Sequence, residues 1–188
     1  MEKITEITFL GRGGQGAKTA AFVYGLNVML AGKHFKAFPE YGPERSGAPV
    51  KAFVRISDAP IRLHSNIYHP DYLVVLDLTL LNDKIVNSLK DSSIVILNAE
   101  KEKAEKIRNE FNLNDVYYVD ATKISLEEIG NNYPNVPLLG ALEKVVGFSN
   151  LENLKEALKE IAGQKWSDVV MKRNIAALER GFEEVKKL

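Results

Sequence analysis

Cysteine is absent from this 188-residue chain. That excludes structural disulfides, a cysteine nucleophile, a thiolate zinc site and an iron–sulfur cluster held by cysteines of this chain. Histidine is scarce, with only His34, His64 and His69, and the last two are spaced across an expected strand-to-loop transition, where they do not converge on one metal ion. Excess charge is lacking too: 25 Lys and Arg stand against 25 Asp and Glu. No global field gathers polyanions, so nucleic acid is not an expected partner. No apolar run approaches the roughly 20 residues that cross a bilayer. The opening MEKITEITFLG carries charges and leads into an alternating strand rather than a signal peptide. The expectation is a cytoplasmic protein that does not enter a membrane, and any redox carrier it works with sits on another chain.

What is present reads as one α/β domain over residues 1–188, with a helix-rich segment 138–188 packed on the core. Ile4 to Leu10 alternates as a strand. It runs into Gly11-Arg12-Gly13-Gly14-Gln15-Gly16 and then into a helix, Ala17 to Leu30, apolar around much of its circumference, with Gly32 as its stop. His34 to Phe38 is a short strand. In Val50 to Ile56, Val50, Ala52, Val54 and Ile56 face one way, while Lys51, Phe53 and Arg55 face the other. A turn at Asp58-Ala59-Pro60 leaves room for Ile61 to His64 to complete an antiparallel hairpin. Tyr72 to Leu76, Ile94 to Leu97 and Val116 to Val119 are buried strands. Leu81, Ile85 and Leu89 mark a short helix, and Glu100 to Glu110 a solvated one. Asn131 to Pro137 is read as a loop, because two prolines and three asparagines oppose regular structure. Helices follow over Leu138 to Val146, around Leu151 to Ile161, and from a cap at Ser167 through Val185. The expected architecture is a three-layer α/β/α sandwich with a mostly parallel sheet.

The glycine-rich turn satisfies the pattern in which Gly11, Gly13 and Gly16 bring backbone amides close to a phosphate at a helix start. A dinucleotide site also needs an acidic residue about 20 positions on, where Lys33 to Phe38 stands instead. The P-loop lysine spacing is missing as well. A tight turn alone requires neither a guanidinium nor an amide, so Arg12 and Gln15 are candidates to read a phosphate, a carboxylate or a partner backbone. Asp77 and Thr79 stand where a parallel strand ends, the edge that forms the ligand crevice of doubly wound sheets. Their alternative role is capping. The loop Asn131 to Pro137 leads toward the same edge. Ser46, which has no nucleophile-elbow context, is read with Gly47, Ala48 and Pro49 as allowing close approach at an interface. Tyr41 is placed to bury its ring with the hydroxyl at a boundary, and Trp166 to anchor a core or an interface.

Several segments together resemble one family. GRGGQGAKTAA, AFPEYGPERSGAPVKAFVRI, PIRLHSNIYHPDYLVVLDLTLL, NVPLLGALEKVVG and the terminal KRNIAALERGFEEV follow the order and spacing of the gamma subunits of 2-oxoacid:ferredoxin oxidoreductases, and the pyruvate type above all. The resemblance covers nearly the whole chain, and PEYGPERSGAP is far more specific than any GxGxxG.

The resemblance implies thiamine-diphosphate-dependent oxidative decarboxylation of a 2-oxoacid with coenzyme A, giving an acyl-CoA, carbon dioxide and reduced ferredoxin. Run in reverse, this is the pyruvate synthase reaction. It implies a heterotetramer in which the alpha and beta subunits hold thiamine diphosphate and magnesium, and a small delta subunit holds the iron–sulfur clusters. The gamma chain then holds no cofactor by itself. The loops Gly11 to Gly16 and Glu40 to Pro49 would face the complex. Carried over onto this sequence, the coenzyme A candidates are Gly11, Arg12, Gly13, Gly14, Gln15, Gly16, Glu44, Arg45 and Lys51. For Glu44 and Arg45, ion pairs between subunits stand beside direct ligand contact. Two other readings remain open at this point: a free-standing nucleotide-binding protein, and a scaffold subunit that touches no ligand.

Overall fold

The computed structural model describes residues 3–40, 47–163 and 165–188. Tyr41, Glu44, Arg45 and Ser46 therefore lie outside the described residues. The chain begins with β1 (Thr5–Arg12), α1 (Ala17–Leu30), β2 (His34–Pro39), β3 (Pro49–Ser57) and β4 (Tyr72–Val75). A 3-10 turn (Leu78–Leu80) and the one-turn helix α2 (Asp83–Val86) lead to β5 (Ile94–Asn98), α3 (Lys101–Glu110) and β6 (Asp115–Val119). Then come α4 (Ala121–Glu128), α5 (Asn135–Val146), α6 (Leu151–Ala162), α7 (Asp168–Glu184) and the two-residue strand β7 (Lys186–Lys187).

The strands form one sheet in the order β2-β3-β1-β4-β5-β6-β7. It is mixed rather than mostly parallel. Among the described residues β1–β4, β4–β5 and β5–β6 run parallel, whereas β2–β3, β3–β1 and β6–β7 run antiparallel. The reason lies in chain length: residues 40–48 are fewer than the dozen or so a parallel crossover needs, so β3 returns against β2. It enters between β2 and β1, and both of its edges are filled. Ile61 to His64 consequently find no open edge on β3 and form no strand, which corrects the expected hairpin.

Arg55, on the β3 face opposite Ala52, Val54 and Ile56, is 2% exposed. Its Nε donates to Glu6 Oε1 at 2.8 Å, its Nη1 to the Ser65 carbonyl at 2.7 Å and its Nη2 to the Asn66 carbonyl at 3.3 Å. A buried guanidinium thus pins the segment that follows β3 over that face. Such a cation is tolerated because each of its nitrogens finds an acceptor.

Helices cover both faces. On one side Ile7 and Phe9 of β1 pack with α1, α4, α5, α6 and α7; on the other Leu10 packs with Leu78, Leu80, Ala104 and the inner residues of β4, β5 and β6. Trp166 packs against the first of these cores. Two glycines let α5 and α7 approach to backbone contact: a Cβ on Gly140 would collide with the Leu178 carbonyl, and one on Gly181 with the Pro137 carbonyl.

α1 spans the expected residues and ends in a Schellman arrangement. Gly32 has φ +82°, the Gly32 N–H donates to the Met29 carbonyl and the Lys33 N–H to the Val28 carbonyl. Two readings are corrected. Asn135 to Pro137 belong to α5 rather than to a loop, because Pro137 lies in the first turn, where a helix has no use for the missing N–H. The leucines at 81 and 89 flank α2 instead of lying on it; Asn82 caps a helix of one turn. Among the described residues, no helix is long and apolar enough to cross a membrane.

Candidate functional site

The carboxyl ends of β1 and β4 lie side by side, with Leu10 opposite Val75. The glycine turn therefore leaves β1 beside the residues that follow β4. Asp77 caps the 3-10 turn: its Oδ1 accepts from the Thr79 N–H at 3.0 Å and from the Thr79 hydroxyl at 2.6 Å. Its Oδ2 accepts from Arg12 Nε at 3.0 Å and from Gln15 Nε2 at 3.2 Å. Burial alone would raise the pKa of this carboxyl, but hydrogen bonds from Thr79 and Gln15 and the charge of Arg12 outweigh it and hold the value below the usual one.

Arg12 is engaged through all three of its nitrogens. Beyond Asp77, Nη1 donates to the Gly47 carbonyl at 3.1 Å and Nη2 to the Thr79 hydroxyl at 2.8 Å. Gln15 closes the turn from the other side, with Oε1 accepting from the Arg12 N–H at 2.7 Å and its own N–H donating to the Arg12 carbonyl at 3.0 Å. The β1–β3 ladder continues into the turn, since the Gly13 N–H donates to the Ala48 carbonyl and the Gly47 N–H to the Gly13 carbonyl. Arg12, Gln15, Asp77 and Thr79 thus form one connected polar group that fixes the glycine turn against residues 47 and 48.

Three of the four glycines in this turn have a geometric reason of their own. At Gly11 a Cβ would stand 3.2 Å from both Gln15 Oε1 and Leu76 Cβ. Gly14 has φ +99° and open space around it. Gly16, at the N-cap of α1, has φ +83°, and a Cβ there would fall 2.5 Å from the side-chain amide of Asn135. Only glycine meets both conditions at position 16.

The structure brings Gly11 to Gly16, Asp77, Thr79, Gly47 and Asn135 to one edge. Lys51 sits on the neighbouring strand, paired with Leu10 in a ladder whose last rung joins Arg12 to Pro49. Glu44 and Arg45 lie outside the described residues. Asp77 and Thr79 are legible from the rule for strand ends; the segment of Asn135 is expected at this edge too, but as a loop, because its prolines hide the helix start. His64 and His69, which the sequence does not place as convergent metal ligands, lie apart in their contacts: His64 Nδ1 accepts from Lys36 Nζ at 2.9 Å, and His69 Nδ1 is 2.8 Å from the Ser88 carbonyl. Among the described residues no three His, Asp or Glu side chains converge as metal ligands. Among the described residues, the site presents backbone donors at a helix start with no side-chain cap, while its carboxylate, Asp77, is taken up by Arg12, Gln15 and Thr79.

The family model for pyruvate ferredoxin/flavodoxin oxidoreductase matches residues 6–184. The pyruvate synthase subunit PorC of Thermotoga maritima is 44% identical over 186 residues, covering 98% of this chain and 96% of that protein. The common gamma subunit of the pyruvate/ketoisovalerate oxidoreductases of Thermococcus kodakarensis is 44% identical over 181 residues, covering 95% of this chain and 96% of its own length. The crystal structure of the Thermotoga maritima pyruvate oxidoreductase subunit superposes with a TM-score of 0.86 over 99% of both chains at 40% identity. Matched from end to end in sequence and in fold, the chain belongs to the gamma-subunit family of 2-oxoacid:ferredoxin oxidoreductases.

Proposed function

We propose that this chain is the gamma subunit of a thiamine-diphosphate-dependent enzyme that converts a 2-oxoacid, coenzyme A and oxidised ferredoxin to acyl-CoA, carbon dioxide and reduced ferredoxin, with pyruvate as the 2-oxoacid. The observation that carries this reading is the 44% identity over 98% of the chain to a pyruvate synthase subunit. Its partners are alpha, beta and delta subunits, and ferredoxin meets the assembled complex. Thiamine diphosphate, magnesium and the iron–sulfur clusters belong to those other chains; without a cysteine, this one supplies no thiolate to a cluster. Isolated, it is inactive.

Within that complex the edge made by Gly11 to Gly16 and Lys51 faces coenzyme A and the catalytic subunits, and Glu44 and Arg45 contact coenzyme A or pair with a neighbouring subunit. Arg12 serves there by holding residues 47 and 48 in place, since its nitrogens are directed at Asp77, Thr79 and Gly47. A scaffold without ligand contact is the second reading, and the same internal engagement of Arg12 favours it.

Anaerobic purification from the source organism, followed by native mass spectrometry and 2-oxoacid turnover, tests the assignment. Co-purification with two larger subunits and a small cysteine-rich one, with pyruvate turned over faster than other 2-oxoacids, is the expected result. A chain that purifies alone, with pyruvate:ferredoxin activity in other fractions, overturns it. Replacing Lys51 by Ala separates the two readings: ligand contact raises the KM for coenzyme A, whereas a scaffold changes only the yield of complex.

A further inference from the structure

The last turns of α1 and α5 meet through a buried polar pair. Asn27 is fully buried and Glu143 is 2% exposed, and Asn27 Nδ2 donates to Glu143 Oε2 at 2.8 Å. Beyond Glu143 the chain reverses at Gly147, which has φ +65°. The Ser149 N–H then donates back to Glu143 Oε1 at 2.9 Å. The Ser149 hydroxyl donates to the Asn27 carbonyl at 3.1 Å and accepts from Asn153 Nδ2, in the first turn of α6, at 3.0 Å. One carboxyl thus ties together α1, α5 and the approach to α6.

Two polar atoms of α1 lie at this carboxyl buried and without a hydrogen-bond partner among the described residues, Asn27 Oδ1 and the Tyr24 hydroxyl. Buried polar atoms normally have partners. Asn27 Oδ1 is an acceptor, so what it lacks is a donor. An ionised carboxylate only accepts, whereas a protonated carboxyl supplies that donor, and acid and amide then face each other with a donor and an acceptor on each side. The surroundings favour the same state. From α1 the carboxyl is faced by Tyr24, with Tyr72 of β4 behind it. The cations on the packed elements are turned elsewhere: Lys33 to Asp58 and the Phe148 ring, Lys144 over Phe182, and Lys155 to Glu152 and Glu179. Burial therefore outweighs the donors and raises the pKa of Glu143.

We propose that Glu143, Asn27 and Tyr24 form a proton-operated latch, closed most firmly when the carboxyl holds a proton, that makes the docking of the α5–α6 turn on α1 depend on pH. Opening the turn returns the carboxyl to water and to its ordinary pKa. Between that value and the raised one, the closed form keeps a proton that the open form has released, so closure weakens as pH rises. Above the raised value both forms are ionised and the dependence ends.

Hydrogen exchange of the full chain across this pH range, read by NMR at the Ser149 amide, tests the latch. The expected rate rises about tenfold per pH unit beyond the ordinary base catalysis of exchange, and above the raised value it follows base catalysis alone. The 13C shift of the Glu143 carboxyl titrates at the upper end of the same range. In Glu143→Gln, which carries a permanent donor and does not titrate, the extra dependence disappears. Tyr24→Phe keeps the ring and removes a donor to the ionised carboxyl, so the steep range extends to higher pH. Ser149 exchange that follows base catalysis alone in the unaltered chain overturns the latch, as does an extra dependence that Glu143→Gln retains. An extra dependence shared equally by the amides of β5 reports global unfolding and overturns it too. A steep range unchanged in Tyr24→Phe removes Tyr24 from it.

Discussion

Arg12 Nε donates to Asp77 Oδ2 at 3.0 Å, joining residues 65 positions apart and binding the end of β1 to the second residue beyond β4. The contact is more than an ion pair, because the same two side chains share Thr79 as a third partner. Through Nη1 the guanidinium also reaches the Gly47 carbonyl. A cation that would be free to meet a ligand in an isolated glycine turn is, in the folded chain, the link that carries the position of one loop to another.

Replacing Asp77 by Asn removes the charge and one acceptor from this clamp. Arg12 is 36% and Asp77 17% exposed at the side chain, so solvent screening limits the loss of global stability to about 1 kcal/mol. The larger effect is local: hydrogen exchange at the Gly13 and Gly47 amides speeds up while the core of β1 stays protected. Exchange that is unchanged at those two amides would contradict the clamp.

The same carboxyl sets a pH dependence. Its folded pKa lies below the ordinary value, so its contribution is fully present above the unfolded pKa and is lost as pH falls through the lowered folded value. Acid titration should therefore release the Gly47 contact only below the ordinary aspartate range, and the Asp77→Asn chain should lack that step. Chemical-shift titration of Gly47 reads both.

Glu143 behaves in the opposite sense. It is 2% exposed, and burial raises its pKa despite hydrogen bonds from the Ser149 N–H at 2.9 Å and Asn27 Nδ2 at 2.8 Å. The folded chain then holds a proton that the unfolded chain has released, so between the ordinary and the raised value stability falls as pH increases. Glu143→Gln should flatten that slope. It should also fold, because Asn27 Oδ1, buried without a partner among the described residues, can turn to accept from the new amide. Glu143→Ala strands both donors and should cost about 1–3 kcal/mol in urea denaturation.

Gly16→Ala should destabilise the chain by about 1–3 kcal/mol from its positive φ alone, with a further loss from the collision with Asn135. Gly14→Ala, which has a positive φ but open space, should cost only the backbone part. Pairing Gly16→Ala with Asn135→Ala recovers the collision and not the backbone strain. A double-mutant cycle on denaturation midpoints measures the difference, and strict additivity would show that the two residues do not meet.

Arg55→Met should cost about 3 kcal/mol, since it leaves Glu6 and two carbonyls without their buried partner. It should also free the segment after β3, so that trypsin cleaves at the exposed Arg62 earlier than in the unaltered chain. Cleavage at an unchanged rate would mean that other contacts hold this segment.

Much of this architecture is local in origin and was readable in the chain. α1 spans the expected residues because a glycine turn opens it and Gly32 closes it. Ser167 caps α7 as its position implies, accepting from the Val170 N–H. Asp77 and Thr79 stood out because they follow an apolar strand. The composition by itself excludes cysteine ligation by this chain. Patterns of this kind depend on φ, on side-chain period and on neighbours within one turn, and a sequence displays all three.

Only the tertiary structure decided what depends on residues far apart along the chain. The direction of β3 followed from which strand edges were open. Arg55, which alternation places opposite the apolar face of β3, became buried because a later segment folds over it. The start of α5 at Asn135 was concealed by two prolines, yet the first turn of a helix asks for no donor there. Arg12 carried the same charge in either setting, but whether a guanidinium awaits a ligand or grips its own chain depends on the carboxylate 65 residues away that the fold brings within 3.0 Å.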